Sequence, residues 1–227
     1  MIRFDAIEKF HPLGLGRVHA LKGVNGKVDQ GEMVALCGPS GSGKSTLLNI
    51  LGLLDLDYQG TLALDDAPAP TDARQATEVR RRQLGFVFQR FNLVPVMTAL
   101  ENVAYPLQLN GLPVSQQKRQ ALAMLAQVGL ENQAQQRPDH LSGGQQQRVA
   151  IARALVHQPR LVIADEPTAS LDSQTAEQVI ALMKRLGREL GVTFIIATHD
   201  PRMANQCHRI INLCDGMIEQ EGMSWAS

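Results

Sequence analysis

Aromatic residues are scarce, at 4% of 227 residues, so platforms that stack bases or sugars are not this chain's main device. A charge excess of either sign is also missing. Lys and Arg total 22 and Asp and Glu total 22, a formal net charge of zero. A protein that coats a polyanion needs a basic excess to displace counterions, so nucleic acid is not an expected partner. No run reaches the roughly 18 apolar residues that a membrane helix requires. The longest candidates, around Leu47–Leu54 and Phe194–Ala197, are core-sized. The first residues, MIRFDAIEKF, carry the charges of a strand and not the build of a signal peptide. Only three cysteines occur, Cys37, Cys207 and Cys214, with no C-x-x-C pair. They read as small buried hydrophobes in a reducing cytosol. What the chain does have is apolar content, 44%, enough for a substantial core and too much for a disordered chain.

The length predicts one domain with a sub-domain. Met1–Val28 reads as two strands broken at His11-Pro12-Leu13-Gly14-Leu15-Gly16. Met33–Cys37, Gly60–Leu64, Leu84–Phe88, Leu161–Ala164 and Val192–Ala197 read as short strands. Lys44–Leu53, Arg74–Arg82 and Ser173–Leu190 read as helices, the last with an apolar stripe at Val179, Leu182, Met183 and Leu186. Asp65–Pro70 reads as a loop, and Asp215-Gly216 as a hairpin turn between strands near Arg209–Leu213 and Met217–Glu219. Thr98–Leu107, Ser115–Val128 (stripe Leu122, Leu125, Val128) and Gln145–Val156 add helices without strands between them. Alternating strands and helices predict an α/β core with a mainly parallel sheet. The helical stretch from about 92 to 157 reads as an insertion into a core built from about 1–91 and 158–227.

Gly38-Pro39-Ser40-Gly41-Ser42-Gly43-Lys44-Ser45 matches G-x-x-x-x-G-K-[ST], the P-loop. Glycines let the backbone curl so that successive N–H groups face phosphate oxygens. The helix that follows adds the positive end of its dipole. Lys44 reaches the β- and γ-phosphates, Ser45 offers a hydroxyl to Mg²⁺, and Thr46 can contact the α-phosphate side. The motif specifies a nucleoside triphosphate with Mg²⁺ and does not specify the reaction. Leu161–Ala164 then runs into Asp165-Glu166. In P-loop proteins the first carboxylate after such a strand holds Mg²⁺, and Glu166 is then placed to polarise an attacking water.

Leu141-Ser142-Gly143-Gly144-Gln145-Gln146-Gln147-Arg148 carries the most information. Ser142 can cap a helix starting at about Gln145, and the glycines leave its N–H groups accessible, which makes a second anion site. One triphosphate does not need two such sites in one chain. Two chains facing head to tail do, because each can close the other's site.

With these motifs in place the chain resembles an ATP-binding cassette, the nucleotide-hydrolysing subunit of ABC transporters. The motifs occur in the family's order over essentially the whole chain: the P-loop at 38–45, Gln89, the signature at 141–145, the acidic strand at 161–166, Ser170-Leu171-Asp172, and His199 in Ala197-Thr198-His199-Asp200. The resemblance implies a P-loop core with an N-terminal antiparallel β sub-domain and an inserted helical sub-domain. It implies that Gln89 senses Mg²⁺ and the γ-phosphate, with Ser45 and Asp165 the other metal residues. It implies that Glu166 and His199 organise the attacking water, and that Asp172 crosses a dimer interface; an N-cap for the following helix is compatible with that role. Ser142, Gly143, Gly144 and Gln145 would reach the partner's ATP. Phe10 is the position matched to the family's adenine-stacking aromatic, with Phe in place of the common Tyr; the plainer alternative is a core Phe.

Further similarity points to the bacterial macrolide-export, lipoprotein-release and cell-division group. It rests on Asn49-Ile50-Leu51-Gly52, Phe88-Gln89-Arg90-Phe91-Asn92-Leu93-Val94-Pro95 and the triple glutamine of 145–147. A membrane permease docking near Phe91–Met97 and a peripheral place on the cytoplasmic face of a bacterial membrane are implied. The rival expectations are a regulatory scaffold that scarcely turns ATP over, and a soluble cassette protein acting on DNA or ribosomes. Glu166 and His199 argue against the first. A single cassette without basic excess argues against the second.

Overall fold

The computed structural model describes residues 1–14 and 16–223. Leu15, within the loop expected at His11–Gly16, lies outside the described residues. Two compact units divide the chain: Met1–Arg80 with the segment from Thr193 onward, and Arg81–Val192.

The first unit opens with an antiparallel hairpin, β1 (Ile2–Leu13) and β2 (Gly16–Val28), paired from Ile2↔Val28 to Leu13↔Gly16. The expected break at His11–Pro12 does not occur. Both residues stay in β1, and the left-handed Gly14 (φ 57°) directly follows the strand. Pro12 is tolerated because a two-strand hairpin leaves backbone N–H groups unpaired on an outer side. β4 (Gln59–Leu64) pairs with β1, and a two-residue β5 (Ala67–Pro68) completes this sheet in the order β2-β1-β4-β5. The stretch expected as a plain loop at 65–70 is thus a small hairpin. Asp65 and Asp66 both have positive φ (49° and 62°), the conformation of the tightest hairpin turns. Ile2, Phe4, Ile7, Leu21, Val24 and Val28 bury the inner face. Lys9 is also buried, and its ammonium is paired with Asp55 at 2.9 Å and Asp57 at 3.2 Å, so no lone charge is left in the interior.

β3 (Met33–Cys37) runs parallel to β8 (Thr193–Ala197) and to β9 (Arg209–Cys214); β10 (Met217–Met223) returns antiparallel to β9. Asp215 (φ 45°) and Gly216 (φ 79°) form the turn expected there. β3 and β8 are buried almost throughout, which is why they read as continuous apolar runs. α1 (Lys44–Leu51) packs Leu47, Leu48, Ile50 and Leu51 inward, each contributing about 1.5–3 kcal/mol relative to exposure. α7 (Pro201–Ala204) is a single turn, and α2 (Ala73–Gln83) spans the sequence boundary between the units.

The second unit contains the parallel pair β6 (Leu84–Phe88) and β7 (Leu161–Asp165), in register from Leu84↔Leu161 to Phe88↔Asp165. Its helices are α3 (Ala99–Leu109), α4 (Val114–Gln127), α5 (Gly143–Leu155) and α6 (Ser173–Leu190). α5 lies so close to β6 that a Cβ on Gly85 would come within 2.3 Å of the Ala154 carbonyl oxygen. The expected stripes are rotated slightly. Leu122 and Leu182 are only half-buried, and Ala121 and Met124 in α4 and Ala176 and Ile180 in α6 join the inward faces. Small residues on those faces let the helices approach closely, a preference that apolar periodicity does not weigh.

Candidate functional site

In the first unit, the P-loop leaves the carboxyl end of β3. Gly38, Gly41 and Gly43 have φ of 152°, 81° and 105°. A Cβ on Gly38 would lie 2.0 Å from the Leu213 carbonyl oxygen, and one on Gly43 2.7 Å from that of Ala20. Nothing crowds Gly41, so its left-handed backbone is what requires glycine there. Lys44 curls back over the loop, its ammonium donating to the carbonyls of Gly38 at 2.8 Å and Pro39 at 2.9 Å. Gly43 caps α1 without a side-chain acceptor, so no capping side chain competes for the N–H groups at that end. Ser45 is exposed at the same end.

Leu36 of β3 lies opposite Ala197 of β8, so Gly38 and His199 each follow the end of a neighbouring parallel strand. They share a recess of about 450 Å³ with Cys37, Asp200, Pro201 and Asn212. Ligands in parallel α/β sheets bind at this edge. The Arg202 guanidinium beside Asp200 holds its carboxyl below the usual carboxylate range, against the opposing effect of burial.

Phe10, the position expected to stack on adenine, faces away from the P-loop helix. Phe10 pairs with His19, and the two rings stack at 4.1 Å with 16° between planes. Phe10, Pro12 and Arg17 line a pocket of about 380 Å³ with Glu8 and Tyr58. Side chains alternate along a strand, so His11 occupies the opposite face, and its Nε2 lies 3.2 Å from Thr46 Oγ1 in α1. His11 therefore places a ring beside the start of α1. Its cross-strand partner is Val18, 44% exposed, and Leu13, 67% exposed, lies two residues on.

In the second unit, Phe88 lies opposite Asp165, so Gln89 and Glu166 each follow the end of adjacent strands. Gln89 is exposed; Asp165 and Glu166 are half-buried. Glu166 has φ 48°, a left-handed conformation that persists in a non-glycine residue only where its surroundings hold it. Among the described residues no cluster of three His, Cys, Asp or Glu could hold a metal ion.

α5 begins at Gly143, two residues earlier than expected. Ser142 and Gln145 form a reciprocal capping box: Ser142 Oγ accepts the Gln145 N–H at 3.3 Å, and Gln145 Oε1 accepts the Ser142 N–H at 2.9 Å. Asp172 caps α6, accepting from the Thr175 N–H at 3.0 Å and its hydroxyl at 2.6 Å. Those bonds hold its carboxyl below the usual range. The segment after Gln89 is held from two helices. Arg153 of α5 donates to the carbonyls of Phe91 and Asn92. The buried Asn102 of α3 accepts the Val94 N–H at 2.8 Å, and its amide nitrogen faces the Val94, Met97 and Thr98 carbonyls. Residue types and spacing gave no sign of Arg153 or Asn102, because both act on backbone groups.

Comparison with known proteins shows the family. The family model described as ABC transporter matches residues 21–169. An uncharacterized ABC transporter ATP-binding protein, MJ0796 of Methanocaldococcus jannaschii, is 45% identical over 97% of this chain and 96% of its own length. The lipoprotein-releasing system ATP-binding protein LolD of Anaeromyxobacter dehalogenans is 47% identical, covering 97% and 93%. The macrolide export ATP-binding/permease protein MacB of Syntrophobacter fumaroxidans is 48% identical over 97% of this chain, which spans only 31% of that longer protein. Among solved structures, a dimeric post-hydrolysis state of the MJ0796 cassette bound to ADP and Pi matches with a TM-score of 0.91 and 42% identity over 100% of both chains. The chain belongs to the ABC transporter family, as an ATP-binding and ATP-hydrolysing cassette.

Proposed function

We propose that this cassette acts as a head-to-tail homodimer that closes on ATP and drives a membrane permease from the cytoplasmic face of a bacterial membrane. The observation that carries this reading is the likeness, at TM-score 0.91, to a cassette solved as a dimer bound to ADP and Pi. The residues it needs are present. In each protomer the phosphates rest on Gly38–Thr46, with Lys44 turned from the loop carbonyls to the β- and γ-oxygens. The partner's Ser142, Gly143, Gly144 and Gln145 close the γ-phosphate side, and Asp172 crosses the interface while it caps α6. Glu166 accepts a proton from the attacking water, and His199 orients that water. Ser45, Gln89 and Asp165 would hold Mg²⁺, which supplies charge neutralisation on the phosphate oxygens. Preorganised donors then meet the charge that develops in the transition state.

The adenine rests on His11 in this reading, with Val18 and Leu13 extending the apolar side. Base–aromatic stacking is worth about 1–3 kcal/mol, so His11→Ala should weaken ATP binding by roughly 5- to 150-fold. Phe10→Ala should leave ATP affinity at the parent value, because its ring faces the other side of the hairpin. Fluorescence titration with a nucleotide analogue measures both; equal affinity in His11→Ala and the parent would reject the assignment.

A helical sub-domain of about residues 92–157 carries the motion. Phe91–Met97 is the docking segment: Arg153 and Asn102 fix its backbone, and Val96 stands 75% exposed. No described helix is long and apolar enough to cross a membrane, which fits a cassette that needs a separate membrane subunit. The relatives named for lipoprotein release and macrolide export support a client handled by that subunit, with no nucleic acid involved. Val96→Arg should prevent co-purification with the permease while ATP hydrolysis by the free cassette continues at the parent rate. A complex that forms normally with Val96→Arg would exclude this surface.

A further inference from the structure

Gln147 takes no part in the chemistry above, yet it is 0% exposed within α5. A buried amide is tolerated when it is hydrogen-bonded. Gln147 Nε2 donates to the carbonyl oxygen of Pro167 at 2.6 Å, and its Oε1 finds no protein donor. Pro167 directly follows Glu166, whose left-handed backbone has to be held by its surroundings. Two further contacts run alongside. A Cβ on Gly143 would sit 3.6 Å from Leu171 Cδ2, and one on Gly144 would sit 2.3 Å from Thr175 Cγ2. Thr175 is in turn bonded to Asp172. The first turns of α5 are therefore fixed to the segment 167–175 at three points, all within one unit.

We propose that Gln147 is a positioning residue that couples the two nucleotide sites of the dimer. Through the Pro167 carbonyl it ties the signature turn, which serves the partner's ATP, to the backbone of Glu166, which serves the protomer's own ATP. The proposal rests on the head-to-tail reading above. A γ-phosphate that draws in Ser142 and Gly144 moves the start of α5, and the Gln147–Pro167 bond transmits that movement to the backbone beside Glu166. The carboxylate reaches its working position only when the opposite site is filled. The Leu171 and Thr175 contacts are apolar and can slide; the hydrogen bond has a fixed length and direction, so it transmits position.

Gln147→Met keeps length and bulk and removes the donor. The parent should hydrolyse ATP with a Hill coefficient of about two, the number of sites in the dimer. The variant should fall to about one, with kcat reduced by about 10- to 100-fold through misplacement of the base. ATP affinity, and the ATP-dependent dimer formed in a Glu166→Gln background, should match the parent. A role confined to packing would lower affinity, dimerisation and kcat together. Gln147→Glu, which turns an acceptor toward the Pro167 carbonyl, should reproduce the loss and provides a second reading if Gln147→Met does not accumulate. An unchanged Hill coefficient and kcat in the variants overturns the proposal, as does a loss of cooperativity accompanied by loss of the ATP dimer. A Glu166→Gln parent that itself fails to dimerise with ATP overturns the head-to-tail reading, and the coupling with it.

Discussion

Glu166→Gln should abolish steady-state ATP hydrolysis and leave a long-lived dimer with ATP trapped inside. General-base catalysis contributes about 10²- to 10⁴-fold, so phosphate release should fall by two to four orders of magnitude. Glutamine has the shape of glutamate and cannot accept the proton. Glu166 stands one residue beyond β7, beside the strand that leads to Gln89, and Lys44 and the P-loop glycines lie elsewhere in the chain. ATP affinity should therefore stay at the parent value. Sedimentation with ATP should show a dimer in the variant, whereas the parent should return to monomer as ATP is consumed. Hydrolysis by Glu166→Gln at the parent rate would remove Glu166 from the catalytic role.

Gly144→Ala should separate nucleotide binding from dimerisation. The added methyl would arrive 2.3 Å from Thr175 Cγ2, and the Thr175 side chain, held by its bonds to Asp172, or the turn itself must give. Overpacking of this kind costs about 1–3 kcal/mol, and the displaced turn is the one offered to the partner's ATP. ATP binding to the monomer should persist, since the P-loop is untouched, while ATP-dependent dimerisation and hydrolysis should fall by about 5- to 150-fold if that strain enters the dimerisation free energy. Thr175→Ser removes the offending methyl and keeps the hydroxyl that bonds Asp172. The double variant should recover much of the lost activity, and a double-mutant cycle isolates the interaction. Equal losses in the single and double variants would show that the Gly144–Thr175 contact is not the cause.

Much of the architecture was legible because the relevant signals are local. The P-loop needs its glycines for backbone reasons that a spacing records, and β3, β7 and β8 are buried on both faces and so appear as plain apolar runs. Asp215-Gly216 announces its turn by residue type. Three kinds of feature were not legible. The closeness of His11 to Thr46 is hidden because the proline beside it reads as the end of a strand. The hairpin at Asp65-Asp66 was hidden by a β5 only two residues long. Gln147, Arg153 and Asn102 bond to backbone groups of residues 4 to 62 positions away. Such contacts follow from how α3 and α5 pack, and no residue pattern along the chain encodes them.

The central claim is that each ATP is held by the P-loop of one protomer and the signature turn of the other. A mixed dimer tests it most directly. One protomer carries Glu166→Gln; the other is isotopically heavy and carries Lys44→Ala, which removes its own grip on the nucleotide. The mixture is loaded with an ATP analogue bearing a photoreactive γ-phosphate, irradiated and digested. The account predicts label on the heavy peptide containing Ser142 to Arg148, delivered by ATP bound to the other protomer. An unlabelled heavy signature peptide, with all label on the light protomer that binds the nucleotide, would contradict it.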